Sequence, residues 1–343
     1  MGDSIIIYDV KTDDTLAKIG QKLGMSEDEV RDFHNINCEK NGLLYFNSLI
    51  GVEKIIIPKN FKSVAQINKE IAEAIPAKNI SQDFYAENYK IIESYESDFE
   101  NAVEISYTVN IRLEEKKENQ LKILVASIKS SNFLNNGEKP DDKMSELSIA
   151  CAESISPLQF EVYPEGNIAK MYQFENIQKV FQEKRKDIED FHIGEVAQKY
   201  VDRFASNLSN QEYFEKQINS TFLYQILFPN LSWFHKQNTW KENFYLVKNS
   251  FPLNCNFNIE FHHINEEEIQ TVLKGEVMEE VSLQQLLQGR RLNDEVEEVM
   301  TGLVELKYTT HKLTKQLEKI QAGIALIHEG ELYRKHKITV SKI

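Results

Sequence analysis

The spacing of apolar residues changes twice along the second part of the chain, and this change constrains the fold more than any other feature. Apolar and polar residues alternate over 105–112, as in a half-buried antiparallel strand. Over 174–228 apolar residues recur every three or four positions, as in amphipathic helices. Alternation returns over 255–263, and a meander of three strands, over 303–309, 317–326 and 332–340, closes the chain. Strands, then helices, then strands predict an α+β domain with an antiparallel sheet and helices packed on one face.

Length and charge limit the classes of function. The chain has 343 residues, enough for about two domains. It has 40 Lys and Arg against 54 Asp and Glu, which gives a formal net charge of -14. Such a surface repels phosphate groups, which argues against nucleic-acid binding and against docking on anionic lipid. The three cysteines, Cys38, Cys151 and Cys255, are too far apart for a CxxC motif or a disulfide framework.

The N-terminal residues lack the pattern of a secretory signal. Only three isoleucines, at 5–7, run together, and an acidic residue precedes them. No window approaches the roughly 18 apolar residues of a membrane-spanning helix. We therefore predict a cytoplasmic protein without membrane insertion, which a secretion machine could deliver outside the cell.

A strand–helix–helix–strand order is predicted for the first part of the chain. An apolar run over 5–10 indicates a strand, and the next residues, as far as Gly24, place apolar side chains on one helical face. Ser26 and Glu29 have the spacing of a capping box at the start of a second helix. A second β-rich run over 52–58 ends at a proline.

The anchor residues of this segment resemble those of the LysM domain family. The matching positions are Tyr8-x-Val10, Asp14-Thr15-Leu16-x-x-Ile19, Asn35 and Gly51-Val52-x-Lys54-Ile55-x-Ile57-Pro58. The match covers about one sixth of the chain. The sequence departs from the family pattern where Asp13 replaces a usual glycine and where the connection over 35–51 is several residues longer.

The resemblance implies a small βααβ domain that binds N-acetylglucosamine polymers in a shallow groove. The groove lies between the loop after the first strand and the loop after the second helix. In this sequence it would be formed by Asp13, Asp14, Thr15, Asn35, Ile36 and Asn37. The structural alternative is that Asp14 and Thr15 cap the first helix and Asn35 makes a turn.

Motifs of known catalytic and metal centres are missing from the sequence. It contains no GxSxG, P-loop, GxGxxG or HExxH pattern. His262 and His263 are adjacent on a predicted strand, so they face opposite sides and cannot readily share a metal ion. Cys38 follows His34 at a spacing that permits a thiol–imidazole pair. We predict a non-enzymatic protein with no catalytic residues, no metal and no cofactor.

Both tryptophans of the chain lie in one aromatic segment after Pro229. Because aromatic residues are enriched at interface hot spots, Trp233, Phe234 and Trp240 are candidate partner-binding residues. The alternative is that these side chains plug the end of the sheet against the helices.

The predicted plan is a LysM-like domain over 1–60, a linker with a short helix over 61–90, and an α+β partner-binding domain over 91–343. This plan resembles LysM-containing proteins of contractile injection machines, including type VI secretion systems. The resemblance implies an adaptor that docks on the spike or baseplate and binds a partner or effector through its large domain. The expected partners are proteins of such an assembly, with a GlcNAc-containing glycan as a second ligand. The alternative is a cell-envelope protein that binds peptidoglycan or chitin.

Overall fold

The chain divides into two compact units, residues 1–73 and residues 74–343. The computed structural model describes residues 5–59, 64–99, 102–118, 121–291 and 298–343. We call the two parts the N-terminal unit and the C-terminal unit.

The N-terminal unit has a strand–helix–helix–strand order. Its elements are β1 (Ile5–Asp9), α1 (Leu16–Leu23), α2 (Glu27–Asn37), a 3₁₀ turn (Lys40–Gly42) and β2 (Lys54–Pro58), which pairs antiparallel with β1. The helix α3 (Val64–Ala74) follows. Thr15 caps the start of α1, and Gly24 ends it with a left-handed backbone. Ser26 and Glu29 form the reciprocal bonds of a capping box at the start of α2.

A small apolar core closes the N-terminal unit. Its buried members come from both helices, from the loop after α2 and from β2: Leu16, Ile19, Val30, Leu44, Leu49, Ile55 and Ile57. The two core residues of the loop, Leu44 and Leu49, fasten the long connection between α2 and β2 against the helices.

The described part of the C-terminal unit contains one antiparallel sheet of eleven strands. The strands are β3 (Asn88–Glu96), β4 (Val103–Glu118), β5 (Leu121–Asn135), β6 (Leu158–Val162), β7 (Ile168–Met171), β8 (Trp240–Phe244), β9 (Leu253–His263), β10 (Glu268–Val277), β11 (Thr301–His311), β12 (Leu317–His328) and β13 (Glu331–Lys342). The helices are α4 (Lys143–Ser154), α5 (Phe174–Phe191), α6 (Glu195–Ser209), α7 (Gln211–Asn219), α8 (Phe222–Leu227) and α9 (Leu283–Gln288). This combination confirms the predicted α+β class.

The strand order explains how the sheet is assembled. Across the sheet it is β7-β6-β5-β4-β3-β13-β12-β11-β10-β9-β8. The chain builds one half outwards from β3 to β7, and α5 to α8 then connect it to the opposite edge. The second half returns from β8 to the centre, where β13 pairs with β3. The two halves therefore meet through residues that are far apart in sequence.

The helices contact one face of the sheet, which we call the inner face. Phe160 packs against Tyr224 with ring centroids 5.4 Å apart, and Phe234 packs against Tyr308 at 5.1 Å. Phe160 and Tyr308 are both fully buried. Lys90, which points away from the inner face by strand alternation, is exposed.

The second half of the predicted linker packs as core. Residues 74–90 belong to the C-terminal unit, and Ile75, Ile80 and Phe84 are buried there. The linker predicted over 61–90 therefore extends too far. The sequence did not show this, because these apolar residues are spaced irregularly among polar ones and have no helical or strand period.

Candidate functional sites

The predicted groove residues at the start of α1 are bonded within the N-terminal unit. Asp14 Oδ2 accepts hydrogen bonds from the Tyr8 hydroxyl at 2.6 Å and from the Lys11 amide at 2.9 Å. Burial raises the pKa of Asp14, but these bonds and the nearby lysines outweigh it and leave the pKa below its ordinary value. Thr15 Oγ1 accepts from the Lys18 amide at 3.2 Å, and the Asp13 carbonyl accepts from Lys18 Nζ at 2.8 Å.

Asn35 holds the loop after α2. Its side-chain Nδ2 donates to the Leu44 carbonyl at 2.8 Å, and its Oδ1 accepts from the Leu44 amide at 2.8 Å. The Asn37 side chain donates back to the Phe33 carbonyl at 2.7 Å. Among the predicted groove residues, Asp14, Thr15, Asn35 and Asn37 thus satisfy polar groups of the fold itself.

The surface near the end of α2 is instead apolar. Ile36, one of the two predicted groove residues whose side chains are not bonded in this way, is 81% exposed. The loop that follows exposes Tyr45, Phe46 and Ile50 by 78%, 79% and 94%. We call these four residues the apolar loop set. Large side chains exposed together on one short stretch mark interaction sites more often than scattered single ones do.

His34 is structural, and the thiol–imidazole pair with Cys38 is not formed. His34 is buried, its Nδ1 accepts from the Ile56 amide at 2.8 Å, and its Nε2 donates to the Gly42 carbonyl at 2.8 Å. Both ring nitrogens are therefore committed to backbone groups. The Cys38 thiol points to the Asn35 carbonyl, with Sγ and O 3.8 Å apart.

In the aromatic segment of the C-terminal unit, Trp233 and Phe234 are buried and Trp240 is partly buried. Trp233 is 8% exposed and Phe234 is fully buried. The Trp233 indole donates to Glu242 at 2.8 Å, and both Trp233 and Trp240 stack on the Phe257 ring, with centroids 6.3 Å and 5.7 Å away. These contacts agree with the second interpretation of the sequence, in which the rings pack at the end of the sheet against the helices.

A cavity of about 610 Å³ lies against the inner face of the sheet, at the centre of the strand order. Its walls come from β3, β4, β5, β12 and β13, from α4, and from the segments 220–224 and 245–248. Most lining side chains are apolar or aromatic, among them Ile105, Phe133, Ile149, Phe222 and Leu326. A mostly apolar cavity of this size with a few polar groups has the form of a small-molecule site.

The polar centre of the cavity is the Glu93 carboxylate. The Tyr107 hydroxyl donates to Oε1, while the Tyr95 hydroxyl at 3.2 Å and His336 Nε2 at 3.0 Å donate to Oε2. Glu93 and His336 are only 14% and 18% exposed. Burial raises the pKa of Glu93, but the bonds from His336, Tyr107 and Tyr95 and the attraction to His336 outweigh it. The pKa of Glu93 therefore lies below its ordinary value, and the group is ionised at neutral pH.

Two cations border the same cavity. Arg334 places its guanidinium 5.0 Å from the centre of the Tyr95 ring, and Tyr95 stacks on His336 at 4.3 Å. Loss of hydration lowers the pKa of the Lys248 ammonium, while attraction to Glu93 raises it less. Among the described residues, no ion pair joins either Lys248 or Arg334 to a carboxylate.

Sequence patterns did not reveal this cavity. Glu93, Tyr107 and His336 lie on three strands, and Glu93 and His336 are 243 residues apart. The one available signal is that Glu93 interrupts an alternating inward series that includes Tyr89 and Ile91. A charged residue at an inward position of a strand indicates a specific role.

The histidines and carboxylates offer little for a metal ion. His262 pairs with Glu260, the closest side-chain atoms being 3.6 Å apart. In the described residues, Glu298, His328 and Glu329 place one potential ligand atom each within 4.8 Å of the others, and both carboxylates are exposed. Three such groups without a fixed geometry do not define a metal centre.

Comparisons with known proteins assign no family. No protein-family model matches the chain, and the search of curated proteins finds no significant match.

No helix in the described ranges is both long enough and apolar enough to cross a membrane.

Proposed function

We propose that this chain is a non-enzymatic adaptor of a contractile injection machine of the type VI secretion kind. Its LysM-like N-terminal unit docks on a component of the spike or baseplate, and its C-terminal unit binds a partner or effector. The chain acts before or during delivery by such a machine.

The state of the predicted groove is the observation that supports docking on protein. Four of the six groove residues have their side chains bonded to the fold, whereas the apolar loop set is exposed. A glycan site needs free polar groups to match sugar hydroxyls, while a protein interface is built around exposed aromatic and aliphatic anchors.

The hydrogen bonds of Glu93 support a structural role for the buried carboxylate in the cavity, in keeping with a non-enzymatic protein. A general acid or base must exchange a proton with its substrate. The Glu93 carboxylate already accepts three hydrogen bonds, and its lowered pKa keeps it ionised. It is therefore suited to hold its neighbours in place rather than to transfer a proton.

The test is affinity purification of the tagged full-length chain from its native cell, with identification of the proteins that co-purify. We expect tube, sheath, spike or baseplate components. The double variant Tyr45→Ser/Phe46→Ser should lose them, and Ile7→Ser, which changes another exposed apolar residue of the same unit, should retain them. The adaptor proposal fails if no component of a secretion machine co-purifies with the unmodified chain.

The second candidate is a cell-envelope protein that binds peptidoglycan or chitin. It is favoured by the exposed rings of Tyr45 and Phe46, because flat aromatic surfaces can pack against sugar rings as well as against protein. Co-sedimentation of the purified chain with insoluble peptidoglycan and with chitin distinguishes the candidates. If the unmodified chain binds either polymer and the double variant Tyr45→Ser/Phe46→Ser does not, the cell-envelope function is favoured.

A further inference from the structure

We infer that the cavity on the inner face of the C-terminal sheet binds a small amphipathic carboxylate. The ligand would place its apolar body along the inner face and its carboxylate beside Lys248 and Arg334. This site is independent of the proposed docking through the N-terminal unit.

The size and walls of the cavity define the body of the ligand. Its volume of about 610 Å³ falls within the range of roughly 300–1,000 Å³ that is typical of sites for small organic ligands. Six aromatic rings line it, those of Tyr95, Tyr107, Phe133, Phe222, Tyr224 and Tyr245. Aliphatic side chains from β4, α4 and β12 complete the wall, so an apolar body would replace water over most of its surface.

The charges around the cavity define the head group. Lys248 and Arg334 contribute two positive charges and Glu93 one negative charge, so the lining has an excess of one positive charge with His336 counted as neutral. A protonated His336 would only increase this excess. An anionic ligand is therefore favoured over a cationic one.

The hydrogen bonds of Glu93, and the lack of carboxylate partners for Lys248 and Arg334 in the described part of the chain, also favour an anionic ligand. Glu93 accepts three hydrogen bonds from the protein, so an incoming cation would have to displace a donor or share an acceptor. Lys248 and Arg334 have no carboxylate partner among the described residues, and their donors are available. The planar guanidinium of Arg334, which rests on Tyr95, matches the two oxygens of a carboxylate.

Three probes with the same twelve-carbon chain and different head groups test the inference. Dodecanoate, dodecanol and dodecylammonium are titrated into the full-length chain by calorimetry, the two ions below their micelle-forming concentrations and dodecanol below its solubility limit. We expect saturable one-to-one binding of dodecanoate, at least about tenfold tighter than that of dodecanol, because a charge-assisted hydrogen bond adds this much affinity. Dodecylammonium should bind most weakly.

Charge removal locates the site. The double variant Lys248→Gln/Arg334→Gln should bind dodecanoate at least about tenfold more weakly and dodecanol with nearly unchanged affinity. Lys90→Gln, which removes an exposed lysine from the opposite face of the same sheet, should bind dodecanoate like the original chain. Both altered residues line the cavity and keep part of their surface in contact with solvent, and thermal unfolding checks that the variant is folded.

Three results would overturn the inference. Dodecanoate could show no saturable binding, dodecylammonium could bind as tightly as dodecanoate, or the folded double variant could bind dodecanoate like the original chain. If the double variant does not fold, the comparison of the three probes on the original chain still decides the question.

Discussion

The two units differ in how far apart in sequence their structural contacts reach. In the N-terminal unit, Tyr8 bonds Asp14 six residues away, and Asn35 bonds Leu44 nine residues away. In the C-terminal unit, Tyr89 donates to the Leu317 carbonyl across 228 residues, and His336 bonds Glu93 across 243. The strand pairing of the N-terminal unit, β1 with β2, lies within residues 5–58, whereas the C-terminal unit depends on β3 and β13, which come from its opposite ends. Each unit is compact by itself, so the predictions below test whether a disturbance in one unit stays within it.

The largest expected effect comes from Phe234→Ala in the C-terminal core. Phe234 is fully buried against Tyr308, so its removal should lower the free energy of unfolding of this unit by about 3–5 kcal/mol. Both tryptophans belong to this unit, so denaturant unfolding followed by tryptophan fluorescence reports on it alone. Hydrogen exchange of α1 and α2 should be unchanged. Faster exchange there would show that the units are coupled.

The next largest loss of stability is expected from Glu93→Gln, which alters the hydrogen bond between β3 and β13. Glu93→Gln should cost about 1–3 kcal/mol at pH 7, because it removes the charge from three hydrogen bonds. The folded-state pKa of Glu93 is lowered, so its contribution is present above the unfolded pKa of about 4.3 and is lost as pH falls through the folded pKa. The stability difference between the two proteins should therefore shrink on acidification. A difference that stays constant down to pH 3 would contradict this assignment.

A comparable or smaller effect is expected where two strands approach closely. Gly275 faces Phe257, and an added Cβ would lie 2.5 Å from the ring. Gly275→Ala should therefore destabilise the C-terminal unit by about 1–3 kcal/mol through overpacking. Gly323→Ala is the matched control in the same sheet, because its added Cβ meets its nearest atom only at 4.0 Å. Equal effects of the two substitutions, measured by fluorescence, would rule out the packing explanation.

The smallest effect should be confined to the N-terminal unit. Asn35→Ala removes both bonds to the Leu44 backbone and should cost about 1–2 kcal/mol. Hydrogen exchange over 43–51 should accelerate, while the fluorescence transition of the C-terminal unit stays in place. Asn37→Ala, which removes one exposed bond, is the control and should change exchange less. A shift of the fluorescence transition would again indicate coupling between the units.

Local signals predicted much of the secondary structure. The capping box of Ser26 and Glu29, the left-handed Gly24 and the proline at the end of β2 all lie where the sequence places them. Each of these depends on residues within one or two turns of the chain, so the pattern is visible without the rest of the protein. The α+β class followed from the same kind of local period.

Positions that depend on distant partners could not be predicted. Large aromatic residues such as Trp233 and Phe234 are common both in interfaces and in protein cores. Their burial in the core of the C-terminal unit is set by the fold of the sheet. Residues 74–90 looked like a linker because their burial comes from other parts of the C-terminal unit. The cavity escaped prediction for the same reason, since its lining comes from five strands and several helical segments.

By itself, therefore, the sequence determined the strand–helix–helix–strand order of the N-terminal unit, the caps of α1 and α2, and the mixed α+β class. These follow from propensity, capping and hydrophobic period, which act over a few residues. The tertiary structure decided which half of the linker is core, which aromatic rings are buried, and that Glu93 and His336 meet beside Lys248 and Arg334. Strand register between segments far apart in the chain sets these contacts, and no local pattern records that register.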